Sequence, residues 1–381
     1  MKPTLPVLLS LILLAGVTGC SRSSDTDPGE NPETASASRQ ATSAVDPAVA
    51  TLVSQQSEAF CQQAKALQQS VNAFLDKPDT ETLAKARRQW RQTHAQYARL
   101  AVGYRLAGLT PPQIHDDRDP IDAHPMLPGY LDQVPGYPQS GLVYSEVPMT
   151  PEFLRGEHQS TDFYYLTLGL HPLETLLWNS TGQSDQQRVS LFIPPAQPAE
   201  DQVDARARRV DLLRLVAHAL PRDAATLCSA GQVRALSTAL TGLANKPETL
   251  KQAVSGTLEQ LVEQPLEGWK AHPDGEDRNG MPIWHSPQAQ SDFEDLKVQL
   301  DSLARRWLPA LSGTPEPGWA QALEPAVEQL AERLPALGEG KKQRTPDIIG
   351  KLQARLSELQ GRLRLDDAGQ GVTPADRQTP K

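Results

Sequence analysis

Residues 293–307 read Phe-Glu-Asp-Leu-Lys-Val-Gln-Leu-Asp-Ser-Leu-Ala-Arg-Arg-Trp, with large apolar side chains in steps of three and four residues. That spacing places the apolar side chains on one face of a helix. The pattern recurs through most of the chain and predicts an all-α fold, because no segment shows the two-residue alternation typical of strands. The predicted helices lie near 48–76, 80–107, 159–179, 202–219, 223–243, 247–267, 293–307, 323–334 and 349–363.

Breaks rich in proline and glycine indicate how these helices are grouped. At 381 residues the chain is long enough for two domains of ordinary size. The break near 180–200 is a natural joint between an N-terminal helical bundle, 48–195, and a C-terminal helical bundle, 196–365. Residues 366–381 show no apolar pattern, and we expect a disordered tail there.

The first residues predict secretion rather than a membrane-spanning helix. Lys2 precedes an apolar run over residues 5–17, which is shorter than the roughly 20 residues that a spanning helix needs. The run ends at Val-Thr-Gly-Cys, residues 17–20, which resembles a bacterial lipobox. We therefore expect residues 1–19 to be a lipoprotein signal peptide and Cys20 to be acylated.

The resemblance to a lipobox also implies a location. Ser21 stands where an Asp would retain a lipoprotein at the inner membrane, so sorting to the outer membrane, facing the periplasm, is implied. Residues 20–47 are rich in Ser, Thr, Asp, Pro and Ala, and such a segment cannot bury enough apolar surface to fold. We expect it to be a flexible tether between the lipid anchor and the folded part.

Charge and cysteine content exclude several kinds of site. The net charge of −9 argues against nucleic acid as a partner. The chain has no Cys-x-x-Cys motif, which excludes the thiolate zinc sites and redox sites that use one. Beyond Cys20 only Cys61 and Cys228 remain, and an oxidising periplasm permits a disulfide between them.

A short motif, Gly169-Leu-His-Pro-Leu-Glu174, sets an imidazole and a carboxylate three residues apart in an apolar segment. Helical spacing of three residues directs both side chains to one face, where they could share a metal ion. A second interpretation is a helix start in which His171 is the N-cap, Pro172 the first helical residue and Glu174 the reciprocal cap. The spacing alone favours this second interpretation.

The connection between the second and third predicted helices is unusually long. It spans residues 108–157, whereas helix connections in bundles usually have about 2–8 residues. Several prolines and tyrosines in it favour an ordered lid over a loose linker. It concentrates side chains of the kinds that bind metals or form acidic turns: His115, Asp116, Asp117, Arg118, Asp119, Asp122 and His124.

The second predicted helix carries polar-tipped side chains on its core stripe, where leucine or valine is usual. Trp90, His94 and Tyr97 share that stripe. Such side chains need partners, so they form either a core network or the wall of a cavity that faces His171 and Glu174. The dispersed histidines are expected to lie at the surface or at helix caps: His158, His218, His272 and His285.

Four elements together resemble the imelysin family of bacterial envelope proteins, over roughly residues 50–310. The first is the Gly-x-His-x-x-Glu motif, and the second is Trp90-Arg-Gln-Thr-His-Ala-Gln-Tyr97 in the second helix. The third, Ile121-Asp-Ala-His-Pro125, is similar to the family's Ile-Asp-x-Trp-Pro, with His124 where Trp is common. The fourth is Trp284-His-Ser-Pro287 followed by Asp292-Phe293, similar to the Ser-rich turn before a late helix.

The resemblance implies two four-helix bundles and a metal site. We expect His171, Glu174, Asp122 and His124 as ligands, with Trp90, His94 and Tyr97 lining the cavity. Iron, zinc or copper would suit such ligands, and the family includes periplasmic components of iron transport, which implies a transport partner in the envelope.

Two alternatives follow from the same residues. The family's original label is a peptidase, in which Glu174 would be the catalytic base for a metal-bound water. The chain lacks His-Glu-x-x-His, however, and Thr175 breaks the inverted form. The other alternative is an envelope scaffold whose motif only holds the bundles together.

Overall fold

A computed structural model describes residues 44–114, 117–133, 139–178, 183–193, 203–271 and 276–312. These residues form helices and connecting turns, and within them only two isolated bridges occur and no strand, which confirms the all-α prediction. The helices are α1 (Pro47–Asp76), α2 (Thr80–Ala107), α3 (Pro151–Glu157), α4 (Leu170–Trp178), α5 (Asp185–Ser190), α6 (Ala205–Leu227), α7 (Ala230–Ala244), α8 (Pro247–Leu258), α9 (Gln264–Ala271), α10 (Asp292–Ser302) and α11 (Leu308–Leu311). A short 3-10 turn spans Leu142–Tyr144, and π-helical turns join α8 to α9 (Glu259–Glu263) and α10 to α11 (Leu303–Trp307).

The two longest helices, α1 and α2, begin and end where local chemistry requires. The Asp46 carboxylate accepts hydrogen bonds from the first free backbone amides of α1, and Asp79 forms a capping box with Thr82 at the start of α2. Gly108 ends α2 in the left-handed conformation that glycine adopts at little cost. The apolar face of α1 packs on α2, α6 and α7, while α2 also contacts α4, α8 and α10.

The predicted helix over 159–179 is shorter than expected, because α4 begins only at Leu170. Gly169 precedes it with a φ of +95°, and a Cβ there would lie 2.5 Å from the carbonyl oxygen of Ile121. The amide of Leu170 donates a hydrogen bond of 2.8 Å to that same oxygen. The close approach of the residue 121 backbone therefore fixes where α4 begins. A second difference is α6, which continues through the expected break near Pro221 to Leu227.

A buried ion cluster holds the long connection onto the helices. The Asp132 carboxylate accepts hydrogen bonds from Arg209, at 2.7 and 2.8 Å, and from Arg188, at 3.3 Å. All three side chains are at most 2% exposed. Tyr130 stacks on Tyr165 with ring centroids 4.4 Å apart. The described parts of the connection are thus packed, as an ordered lid requires, and His115 and Asp116 lie outside the described residues.

Cys61 and Cys228 form a disulfide, with Cα atoms 6.6 Å apart. The bond joins the middle of α1 to the residue that follows α6, and 167 residues separate the two cysteines in the chain. It thereby closes a loop that contains α2, the long connection and α4 to α6.

Several predictions concern residues outside the described part of the chain. These are the signal peptide with Cys20, most of the tether, His272, the helices near 323–334 and 349–363, and the tail 366–381. The division into two bundles stays a prediction. Among the described helices, none combines the length and the apolar character needed to cross a membrane.

Candidate metal centre

Four side chains from four separate elements converge on one point. His94 comes from α2, Asp122 from the long connection, His171 from α4 and His285 from the turn before α10. One ligand atom from each lies within 4.8 Å of the other three. Oδ1 of Asp122 is 3.3 Å from Nε2 of both His94 and His171, and its Oδ2 is 3.4 Å from Nε2 of His285.

These separations fit a shared cation. Bonds of about 2.0–2.1 Å to a tetrahedral metal ion place neighbouring ligand atoms about 3.4 Å apart. Three of the converging atoms, Nε2 of His94, Nε2 of His171 and Oδ1 of Asp122, are buried without a hydrogen-bond partner among the described residues. Buried polar atoms without partners are rare, because each costs about 1–3 kcal/mol. The cluster could therefore hold a metal ion.

Glu174 lies behind His171 and not at the centre. Its Oε2 atom is 3.0 Å from Nδ1 of His171, while its Oε1 atom accepts the backbone amides of Gln288 at 2.9 Å and Ala289 at 2.7 Å. Because a carboxylate only accepts, Nδ1 of His171 carries the hydrogen and Nε2 is left to face the centre. The structure thus differs from the expected ligand set, since Glu174 holds the His171 ring and is absent from the converging cluster. It also differs from the helix-cap interpretation, because the two side chains bond each other.

His94 has the same kind of support from another helix. Its Nδ1 atom is 3.0 Å from the Asp295 carboxylate on α10, which also accepts the Ser291 hydroxyl at 2.6 Å. Trp90 stacks on the His94 ring with centroids 4.8 Å apart and donates its indole N–H to the carbonyl of Leu170 at 2.7 Å. The ring therefore has a fixed plane, with Nδ1 turned to Asp295 and Nε2 turned to the centre.

Acidic side chains also hold the backbone around Asp122 and His285. The Asp119 carboxylate accepts the amides of Ile121 at 2.8 Å and Asp122 at 3.2 Å. Asp292, the first residue of α10, accepts the amide of His285 at 2.6 Å. Asp122 and His285 thus each lie beside a turn that the carboxylate of a buried or half-buried side chain stabilises.

The electrostatics of the centre favour positive charge. Burial opposes protonation of His171, but the carboxylates of Asp122 and Glu174 outweigh it and raise the pKa of His171 to about 9. Burial likewise opposes protonation of His94, yet Asp295 and Asp122 raise its pKa well above the ordinary value. Burial would favour the neutral acid of Asp122, but the three histidines hold its pKa well below the usual range. A metal cation would compete with protons for these atoms.

The structure brings together two of the expected ligands, His171 and Asp122. His124 lies beside them, with its ring centroid 4.0 Å from that of His285 and 5.9 Å from that of His171, but it is exposed and adds no atom to the cluster. Tyr97 is buried and packs on Phe60 with centroids 5.2 Å apart.

Two residues that form the centre or hold its side chains were not predicted from the sequence. His285 was expected at the surface or at a cap, although the resemblance of its Trp-His-Ser-Pro turn to a family element was a usable signal. Asp295 had no signal, because an acidic residue on a helix is ordinarily solvated. His94, expected as a cavity wall, supplies one of the converging atoms.

Comparison with known proteins places the chain in a family. No curated protein matches the sequence. A solved structure of similar fold is that of a provisionally named iron-regulated protein A precursor from Parabacteroides distasonis, with 13% identity and a TM-score of 0.44. The match covers 83% of this chain and 94% of that one. The profile of the family described as Imelysin, peptidase M75, matches residues 53–379. That span is most of the chain, which therefore belongs to the imelysin family.

Proposed function

We propose that this protein binds one divalent transition-metal ion through His94, Asp122, His171 and His285 and serves in metal acquisition at the cell envelope. The observation that carries the proposal is that one ligand atom from each of these four side chains lies within 4.8 Å of the others, and that three of the atoms are buried without a hydrogen-bond partner among the described residues. In the metal-free protein only the charge contacts of 3.3 Å between Asp122 and the two histidines offset the burial of these atoms, and a bound cation would satisfy all three.

The donor set supports a transition metal. Imidazole nitrogen with carboxylate oxygen suits Fe²⁺, Zn²⁺ and Cu²⁺, whereas Mg²⁺ and Ca²⁺ take mainly oxygen ligands. Two of the three histidines have a carboxylate on the far ring nitrogen, the outer support that metal-binding histidines commonly have. Iron is the ion that an uptake role in this family would favour, and zinc and copper are the alternatives.

The engagement of Glu174 favours binding over peptide cleavage. A catalytic base must reach the proton that it removes, but both Glu174 oxygens are already engaged, by His171 and by the amides of Gln288 and Ala289. We therefore expect metal-loaded protein to leave a mixed peptide substrate intact in a mass-spectrometric digest. If the wild-type protein cleaves the peptides and the His171→Ala variant does not, the peptidase function is favoured.

Cellular location is part of the proposal. The lipobox-like residues 17–20 and the polar tether behind them support a lipid anchor at Cys20 in the outer membrane, with the folded part in the periplasm. From there the protein could pass its ion to a transport partner in the envelope.

Calorimetric titration tests the binding function. The chain from Asp46 onward would be titrated with Fe²⁺ without oxygen, and with Zn²⁺ and Cu²⁺. We expect one ion per chain, and a loss of affinity in His171→Ala larger than the roughly 10–100-fold that loss of an outer partner costs. His218→Ala, an exposed histidine on α6, is the matched control and should bind as the wild type does. Absence of binding to the wild type would favour the scaffold function.

A further inference from the structure

The centre is accessible from one side. The side chains of His94 and His171 are 2% and 4% exposed, and that of Asp122 is 15% exposed. His285 is 28% exposed, the most of the four ligands. A cleft lined in part by Pro125, Met126 and Trp284 borders the rings of His171 and His285. A cation from solvent would therefore approach past His285.

His124 stands on that side of the centre. Its ring is exposed and meets the His285 ring nearly at right angles, at 79°, with centroids 4.0 Å apart. Its Nδ1 atom is 3.2 Å from the carbonyl oxygen of Asp122. A carbonyl oxygen only accepts, so Nδ1 carries the hydrogen and Nε2 keeps its lone pair. The exposed imidazole thus offers a metal-binding atom just outside the four converging ligands.

We infer that His124 is a transient ligand, which takes a hydrated cation at the mouth of the centre and passes it to His285 and the buried ligands. This inference rests on the proposed binding function and concerns how the ion enters and leaves. An added imidazole on the route replaces a lost hydration water before the buried ligands are reached, which lowers the barrier in both directions. Because His124 is absent from the final ligand set, it changes rates without changing the equilibrium.

The rates of cobalt binding and release distinguish a transient ligand from a ring that only blocks the route and from a permanent ligand. Co²⁺ binding would be followed by its visible absorption in a stopped-flow instrument, and release would be driven by excess chelator. His124→Phe keeps a flat ring and removes the donor atom, whereas His124→Ala removes both. We expect both variants to bind and release Co²⁺ about tenfold more slowly, a barrier change of about 1.4 kcal/mol, with the dissociation constant unchanged within about twofold.

Other outcomes overturn the inference. Faster exchange in His124→Ala, with wild-type rates in His124→Phe, would show that the ring only blocks the route. Weaker equilibrium binding in both variants would make His124 a permanent ligand, and wild-type rates in both would leave it no role. Failure of the wild-type protein to bind Co²⁺, Zn²⁺ or Fe²⁺ would contradict the proposed function itself. Melting curves of the metal-free variants control for folding.

Discussion

Nε2 of His171 and Oδ1 of Asp122 lie 3.3 Å apart, and both atoms are buried without a hydrogen-bond partner among the described residues. One backbone contact sets this distance. The amide that begins α4, on Leu170, donates to the carbonyl of Ile121, so the residue before His171 is tied to the residue before Asp122. The glycine of the Gly-x-His-x-x-Glu motif permits that contact.

Gly169→Ala should therefore damage both stability and metal binding. A side chain at a φ of +95° is strained by about 1–3 kcal/mol, and its Cβ would push the Ile121 carbonyl, and with it Asp122, away from His171. We expect a melting temperature several degrees lower and weaker Zn²⁺ affinity by calorimetry. Gly242→Ala on α7 is the matched control, because a Cβ there meets nothing within 4 Å, and it should melt at the wild-type temperature or slightly above. Equal behaviour of the two variants would contradict this account of Gly169.

The carboxylates of Glu174 and Asp295 should affect metal affinity through His171 and His94, the histidines that they orient. In Glu174→Gln the side-chain amide cannot accept both from His171 and from the amides of Gln288 and Ala289, and in Asp295→Asn the support of His94 weakens. We expect each change to lower Zn²⁺ affinity about 10–100-fold while one ion still binds. Glu294→Gln, an exposed neighbour on α10, should have no effect. Loss of all binding in Glu174→Gln would instead make Glu174 a ligand.

The sequence predicted the fold better than it predicted the centre. Helix periodicity is a local property, so α1, α2 and α10 were recognisable from their apolar stripes. The motif and the Ile-Asp element also pointed to His171 and Asp122. The role of Glu174 was not readable, because its partners are backbone amides of a distant turn. His285 and Asp295 reach the centre only through the packing of α10 on α2, which no local pattern encodes.

Metal binding should release protons. The pKa of His171 in the metal-free protein is raised to about 9, so at pH 7 both ring nitrogens carry a hydrogen. The proton on Nε2 must leave before that atom can bind a cation. Because the pKa of His94 is raised as well, apparent affinity should rise with pH through the range in which both rings lose this proton, by about tenfold per unit for each proton displaced. Calorimetry at pH 7 in buffers of different ionisation enthalpy measures the protons released. Identical heats in all buffers would contradict the prediction.

Lipid attachment can be tested by producing the full-length chain in a Gram-negative bacterium. If Cys20 is acylated, the wild-type protein should fractionate with membranes and its N-terminal peptide should carry acyl mass, whereas Cys20→Ser should become soluble. Cys61 and Cys228 are engaged with each other and cannot substitute as acylation sites. The lipid anchor would be refuted if the Cys20→Ser variant still fractionated with membranes and the wild-type N-terminal peptide carried no acyl mass.

Anomalous diffraction from crystals of the zinc-loaded protein tests most directly whether His94, Asp122, His171 and His285 together bind one metal ion. We predict a single strong peak at the zinc edge, within bonding distance of the Nε2 atoms of the three histidines and of the Asp122 carboxylate. Glu174 and Asp295 should remain on the far ring nitrogens. The absence of a peak between these four side chains, or a peak bonded to Glu174 with His171 turned away, would contradict the account.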